Sequence, residues 1–106
     1  MEMSEPKNHL WKYSEEETLK EIKDYISQTY QGHYTSQGTK TQTLDLLESI
    51  GTAPAFCQAN IIKYASRFHK KGQERTDLLK VIHYAILLYH FSGIHKKNYN
   101  ATYETF

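Results

Sequence analysis

The sequence predicts an all-α protein, a compact bundle of about four helices closed by an antiparallel C-terminal helical hairpin. Apolar residues recur at helical spacing in successive segments of the chain, the pattern of amphipathic helices. Residue types that start and stop helices bracket those segments. No strand set, internal repeat or low-complexity tract is found.

Residues 1–12 form a polar lead-in that contains Pro6, with order expected from near Trp11. Ser14 followed by Glu15, Glu16 and Glu17 predicts a helix start, the hydroxyl as cap and Glu17 completing a capping box. Leu19, Ile22, Ile26 and Tyr30 mark the apolar face of this first helix. Residues 31–40, with Gly32 and Gly38 around the pair His33 and Tyr34, are the main loop. A short second helix is capped by Thr41 or Thr43, buries Leu44, Leu47 and Ile50, and stops at Gly51.

Pro54 suits the first turn of a third helix, which is expected to run to about His69 before Lys70, Lys71 and Gly72 end it. Ala55, Ala59, Ile62 and Ala65 are read as its core face. Asn60, Lys63, Tyr64, Arg67 and Lys71 fall on the other side, within an arc of roughly 100°. Thr76 and Asp77 open a fourth helix with Leu78, Val81, Ile82, Ala85 and Tyr89 as its main core stripe. Leu87, Leu88 and Phe91 lie outside that stripe, and a helix apolar nearly all round is central to its domain or buried in an oligomer. A homo-oligomer is therefore expected. The tail, residues 94–106, carries Tyr99, Tyr103 and Phe106, leaving residues 13–93 as a single helical domain.

A chain of 106 residues holds one modest core. Its formal net charge of +1 gives no support for general nucleic-acid binding or a polybasic membrane role, so anion recognition must be local. Cys57 is the single cysteine, which fits a reducing interior and excludes an internal disulfide framework. No apolar run approaches the roughly 20 residues that span a bilayer. A soluble intracellular protein is expected.

No metal site is expected. His83 and His90 are seven apart, and His69 and His95 sit at helix ends, without the spacing of metal ligands. Glu17, Glu21 and Asp24 resemble half of the magnesium site of all-α nucleotide pyrophosphohydrolases, but Asp45 and Glu48 form only a short second pair. Cys57, with no base partner in view, is a packing residue.

A short connection makes the last two helices antiparallel neighbours. Arg67 at the end of one then meets Asp77 at the start of the next, and Asp77, Lys80 and Tyr84 share one edge within about 60°. With both polar stripes converging, Lys63, Arg67 and Lys80 surround a phosphate. Asn60 and Tyr84 supply hydrogen bonds, and Tyr64 a ring surface for a base.

The ordered set His33-Tyr34, Phe56-Cys57, Asn60, Lys63-Tyr64, Arg67, Lys70-Lys71-Gly72, Asp77-Leu78, Lys80 and Tyr84 resembles the small phage protein family that includes the phage nucleotide kinase. The closest flavour is that of proteins from phages of marine cyanobacteria, and the likeness covers roughly residues 31–92. It implies a compact, oligomeric helical protein of the host cytoplasm that binds nucleotides. Nucleoside monophosphate phosphorylation is the enzymatic elaboration, with a nucleoside triphosphate as phosphate donor and magnesium left open. Carried over by motif, His33, Arg67 and Asp77 form the catalytic set, and Tyr34, Asn60, Lys63, Tyr64, Lys71 and Lys80 bind ligand. His33 would orient the acceptor or bind phosphate, with Tyr34 stacking on the base. Ala59 departs from the family pattern, which often has glycine ahead of the asparagine.

Each residue has a blander reading: a loop pair over the core for His33 and Tyr34, a solvated helix face for Lys63 and Arg67, a helix-start charge for Asp77. There is no Gly-rich loop ending in Gly-Lys-Ser or Gly-Lys-Thr, so Lys and Arg side chains would replace a backbone phosphate cradle. Three functions remain in play. These are a nucleotide kinase, a noncatalytic binder of a phosphorylated host signal, and a helical module that engages a host protein.

Overall fold

The computed structural model describes residues 10–31 and 39–96. Among them are four α-helices, α1 (Glu15–Thr29), α2 (Thr39–Ser49), α3 (Ala53–Ser66) and α4 (Glu74–Phe91), then a 3-10 turn at Ile94–Lys96, and no strand. The all-α class and the C-terminal hairpin follow the sequence reading. The chain divides into two compact units, Met1–Thr43 and Leu44–Phe106. His33 and Tyr34, most of the lead-in, and Tyr99, Tyr103 and Phe106 of the tail lie outside the described residues.

The start of α1 differs from the expected capping box. Ser14 sits in the left-handed region at φ 60° and its hydroxyl makes no cap hydrogen bond. Its carbonyl accepts from the Thr18 amide instead, and the Glu15 carboxylate reaches back to accept from the Tyr13 amide at 2.7 Å. The acidic first turn thus serves the positive helix end through Glu15 rather than Glu17. Ile22 is the buried residue of this helix.

Helix α2 begins at Thr39, ahead of both expected caps, and stops where expected. At its end the Thr52 amide donates to the Leu47 carbonyl and the Gly51 amide to Glu48, with Gly51 at φ 78°. This pair of bonds is a Schellman motif, which satisfies carbonyls the helix cannot. Leu44 and Leu47 are half-buried, but Ile50 is exposed.

Helix α3 opens with Pro54 in its first turn, where the missing amide is not needed. It ends at Ser66, short of His69, because Arg67 leaves helical geometry and Arg67–Lys70 and Lys70–Gln73 turns take over. Gly72 holds φ 89° in this connection, and the Glu74 carboxylate accepts from its amide at 2.9 Å. Helix α4 therefore starts at Glu74 rather than at Thr76 or Asp77, and the Asp77 amide already bonds to the Gln73 carbonyl.

The inward face of α3 is the reverse of the sequence reading, and that of α4 differs from it in part. On α3, Ala55, Ala59, Ile62 and Ala65 are exposed, whereas Ala53 and Cys57 are buried and Phe56, Asn60 and Tyr64 are half-buried. On α4 the expected core residues Leu78, Ala85 and Tyr89 are exposed, while Val81 and Ile82 are half-buried; Asp77 and His83 are buried, and Lys80, Tyr84, Leu87, Leu88 and Phe91 are half-buried as well. The reason is area. Phe56, Tyr64, Tyr84 and Phe91 each carry far more apolar surface than alanine, and the polar groups on that side satisfy one another. Long cationic stems add apolar cover while their heads reach water.

Candidate functional site

The short turn after α3 brings Arg67 back against the first turn of α4. The Arg67 Nε donates to both oxygens of Asp77 at 3.3 Å, and Nη2 donates to Oδ1 at 3.2 Å. The carboxylate is wholly enclosed, with its side chain 1% exposed, while the arginine side chain retains 35%. Arg67 and Asp77 therefore meet across the turn as their spacing implied, with the acid inside and the base reaching outward. Burial at Asp77 requires this partner, since an unpaired buried carboxylate is strongly destabilising.

One helical turn before Arg67, Tyr64 presents its ring toward α4. Tyr84 lies nearly parallel to it, at 9° with centroids 6.1 Å apart, and Phe56 meets Tyr84 edge-on at 6.0 Å. Three cations gather at the Tyr64 ring: Lys63 Nζ at 5.1 Å, Arg67 Cζ at 5.0 Å and Lys80 Nζ at 4.9 Å from its centroid. Lys63 comes from α3, Arg67 is the residue that caps it and Lys80 comes from α4, so the two polar stripes converge on one aromatic ring. The ring's negative face stabilises each cation modestly, by about 0.5–1 kcal/mol at exposed sites.

That stabilisation is offset by repulsion. Centred on one ring, the three charges lie within about 10 Å of each other, roughly one Debye length at 0.1 M salt. Among the described residues Asp77 is the carboxylate in ion-pair contact with this group, and it faces Arg67. Lys63 and Lys80 have no carboxylate within ion-pair distance among those residues. The cluster carries an excess of positive charge beside an aromatic stack, which an anion attached to a flat ring would complement.

The other sequence candidates divide. Asn60 is half-buried, and its Nδ2 donates to the Phe56 carbonyl one turn back at 2.9 Å, which accounts for an amide within a helix. Tyr84 belongs to the aromatic stack. Lys71 stands exposed in the connection. Phe56, not singled out as a site residue from sequence, completes the aromatic group. The series Ala53, Phe56, Cys57, Asn60, Tyr64 has i, i+3, i+4 spacing, a signal present in the sequence. Cys57, packed in this series, has its thiol pushed above the ordinary value of 9.0 by burial, which keeps it protonated and unreactive at neutral pH.

Among the described residues no three potential ligands cluster to hold a metal ion, and no helix is long and apolar enough to cross a membrane. No curated protein and no solved structure matches the chain. A family match covers residues 28–86, more than half of the chain and every residue gathered at the Tyr64 ring. By that match the chain belongs to DUF3310, a family of proteins of unknown function.

Proposed function

We propose that this protein binds a nucleotide, or another small phosphorylated molecule bearing a flat ring, at the cationic face around Tyr64. The observation that carries the reading is the convergence of Lys63, Arg67 and Lys80 on that ring from two helices. Lys63 and Lys80 would neutralise phosphate oxygens from flexible stems, and Arg67 would contact them in a fixed plane. The aromatic residues beside them offer surface for a base. The motif order, which resembles that of the small phage protein family that includes the phage nucleotide kinase, supports the same ligand class.

Binding is the function this arrangement supports best, and phosphoryl transfer is its further elaboration. Transfer depends mainly on positioning and charge neutralisation, and the cluster has the means for the second. Asp77 faces Arg67 and is closed to solvent, a position suited to holding the arginine rather than to moving a proton on a ligand.

The test is a thermal-shift screen against nucleoside mono-, di- and triphosphates and cyclic nucleotides, followed by chromatography of any stabilising ligand after incubation with a nucleoside triphosphate and magnesium. Selective stabilisation that Lys63→Ala/Lys80→Ala abolishes supports the site. A phosphorylated product assigns kinase chemistry, and ligand recovered unchanged assigns a binder. No shift across the panel overturns the proposal.

A further inference from the structure

We infer that Asp77 is a positioning residue: it takes the side-on edge of the Arg67 guanidinium and thereby aims the end-on pair of N–H groups at the anion. This deepens the nucleotide-binding reading and rests on it. Asp77 receives Nε and Nη2, and the guanidinium plane has a further fork, formed by one N–H from each terminal nitrogen, that matches two phosphate oxygens. The second support of the plane is the Tyr64 ring, 5.0 Å from Cζ.

The exposure of the pair points the same way. Asp77 is closed off while Arg67 keeps a third of its surface, so the clasp ties a partly exposed arginine to an enclosed acid. Enclosing an ion pair is a poor route to stability, because apolar residues of similar volume often do as well or better. A fixed arginine plane is what such a pair supplies that an apolar contact does not. Lys63 and Lys80 contribute charge as mobile points, and Arg67 contributes direction. Preorganisation of that kind strengthens binding by lowering the ordering cost.

The decisive variant is Asp77→Asn, which keeps the shape and removes the negative charge. If Asp77 were only a counter-charge, its loss would make the cluster more positive and tighten anion binding. Positioning predicts the opposite: affinity for nucleoside monophosphates falls by about tenfold, the scale of one charge-assisted hydrogen bond. Affinity is titrated well below the melting temperature of the variant, with inorganic phosphate as the ring-free probe. Unchanged or tighter nucleotide binding overturns the inference.

A ligand-free readout separates this inference from the binding proposal. In the wild-type chain the Arg67 Nε–H should give a sharp nitrogen-15 resonance in slow exchange with water, and Asp77→Asn should broaden or average it. A wild-type signal that already exchanges like that of a solvated arginine overturns the inference, even if Asp77→Asn fails to fold. A slow wild-type signal without nucleotide binding would retain the clasp and sink the binding proposal together with the role given to Asp77 in it.

Discussion

Lys80 reaches from α4 to within 4.9 Å of the Tyr64 ring on α3, close to the 5.1 Å at which Lys63 stands from its own helix. The Tyr64–Tyr84 stack and the Arg67–Asp77 pair join the same two segments. Folding therefore brings like charges together beside those contacts.

Lys63→Ala and Lys80→Ala should each weaken nucleotide binding about three- to tenfold; exposed Lys63→Ala should leave the melting temperature within a few degrees, and half-buried Lys80→Ala should lower it more through lost stem packing. Tyr64→Phe should retain binding, and Tyr64→Leu should lose it, because the ring face and not the hydroxyl organises the cations. Isothermal titration on the four variants checks this. Equal affinity in both lysine variants removes them from the site.

Cys57 links burial to pH. Its thiol is held above 9.0 by desolvation, so the unfolded chain releases the proton at a lower pH than the folded one. The contribution to stability is fully present below the unfolded value and is lost as pH rises through the folded one. Wild-type stability should therefore fall more steeply than that of Cys57→Ala as pH rises above the unfolded thiol value of about 8.5. Urea melts at matched pH values measure the difference, and parallel profiles for the two proteins would show that the thiol is not shielded. Alkylation of the native protein at pH 7 should be correspondingly slow.

Gly51 closes α2 at φ 78° in a Schellman motif, and a Cβ placed there meets nothing within 4 Å. Only the backbone conformation opposes a side chain. Gly51→Ala should thus destabilise by about 1–2 kcal/mol, with Gly51→Asn costing less, since asparagine tolerates the left-handed region. Denaturant melts of the two variants check the order. A neutral Gly51→Ala would mean that the α2 terminus rearranges.

The helices were legible in the sequence because their punctuation is local. Pro54 and Gly51 mark ends that depend only on neighbouring backbone, whereas Gly72 falls in the connection beyond the end of α3 at Ser66; the convergence of Lys63, Arg67 and Lys80 followed from helical spacing plus a short connection. What the sequence concealed was which face turns inward. Assigning Ala55, Ala59, Ile62 and Ala65 to the core counted apolar residues, whereas packing weighs the surface each one carries. The meeting of Arg67 with Asp77 followed from the short turn, but not the division within the pair, an enclosed carboxylate held by an arginine that stays a third exposed. His33 and Tyr34 lie outside the described residues, so that part of the candidate site stands on the sequence alone.

The reversed faces of α3 carry the last prediction. Ala53 is fully buried and Ile62 is 60% exposed, although hydropathy alone ranks isoleucine as the more interior residue. Ala53→Leu adds volume where none is free and should destabilise by about 1–3 kcal/mol through overpacking. Ile62→Gln changes a largely solvated side chain to another good helix former and should stay within about 0.5 kcal/mol. Chemical denaturation of both variants, with sedimentation to follow mass, compares them directly. A large loss at Ile62 would mean that this face is covered in solution, and a fall in mass would identify the cover as a second copy of the chain. Near-neutrality at Ile62 beside a substantial loss at Ala53 would fix the inward side of α3 as the one that carries Phe56, Asn60 and Tyr64.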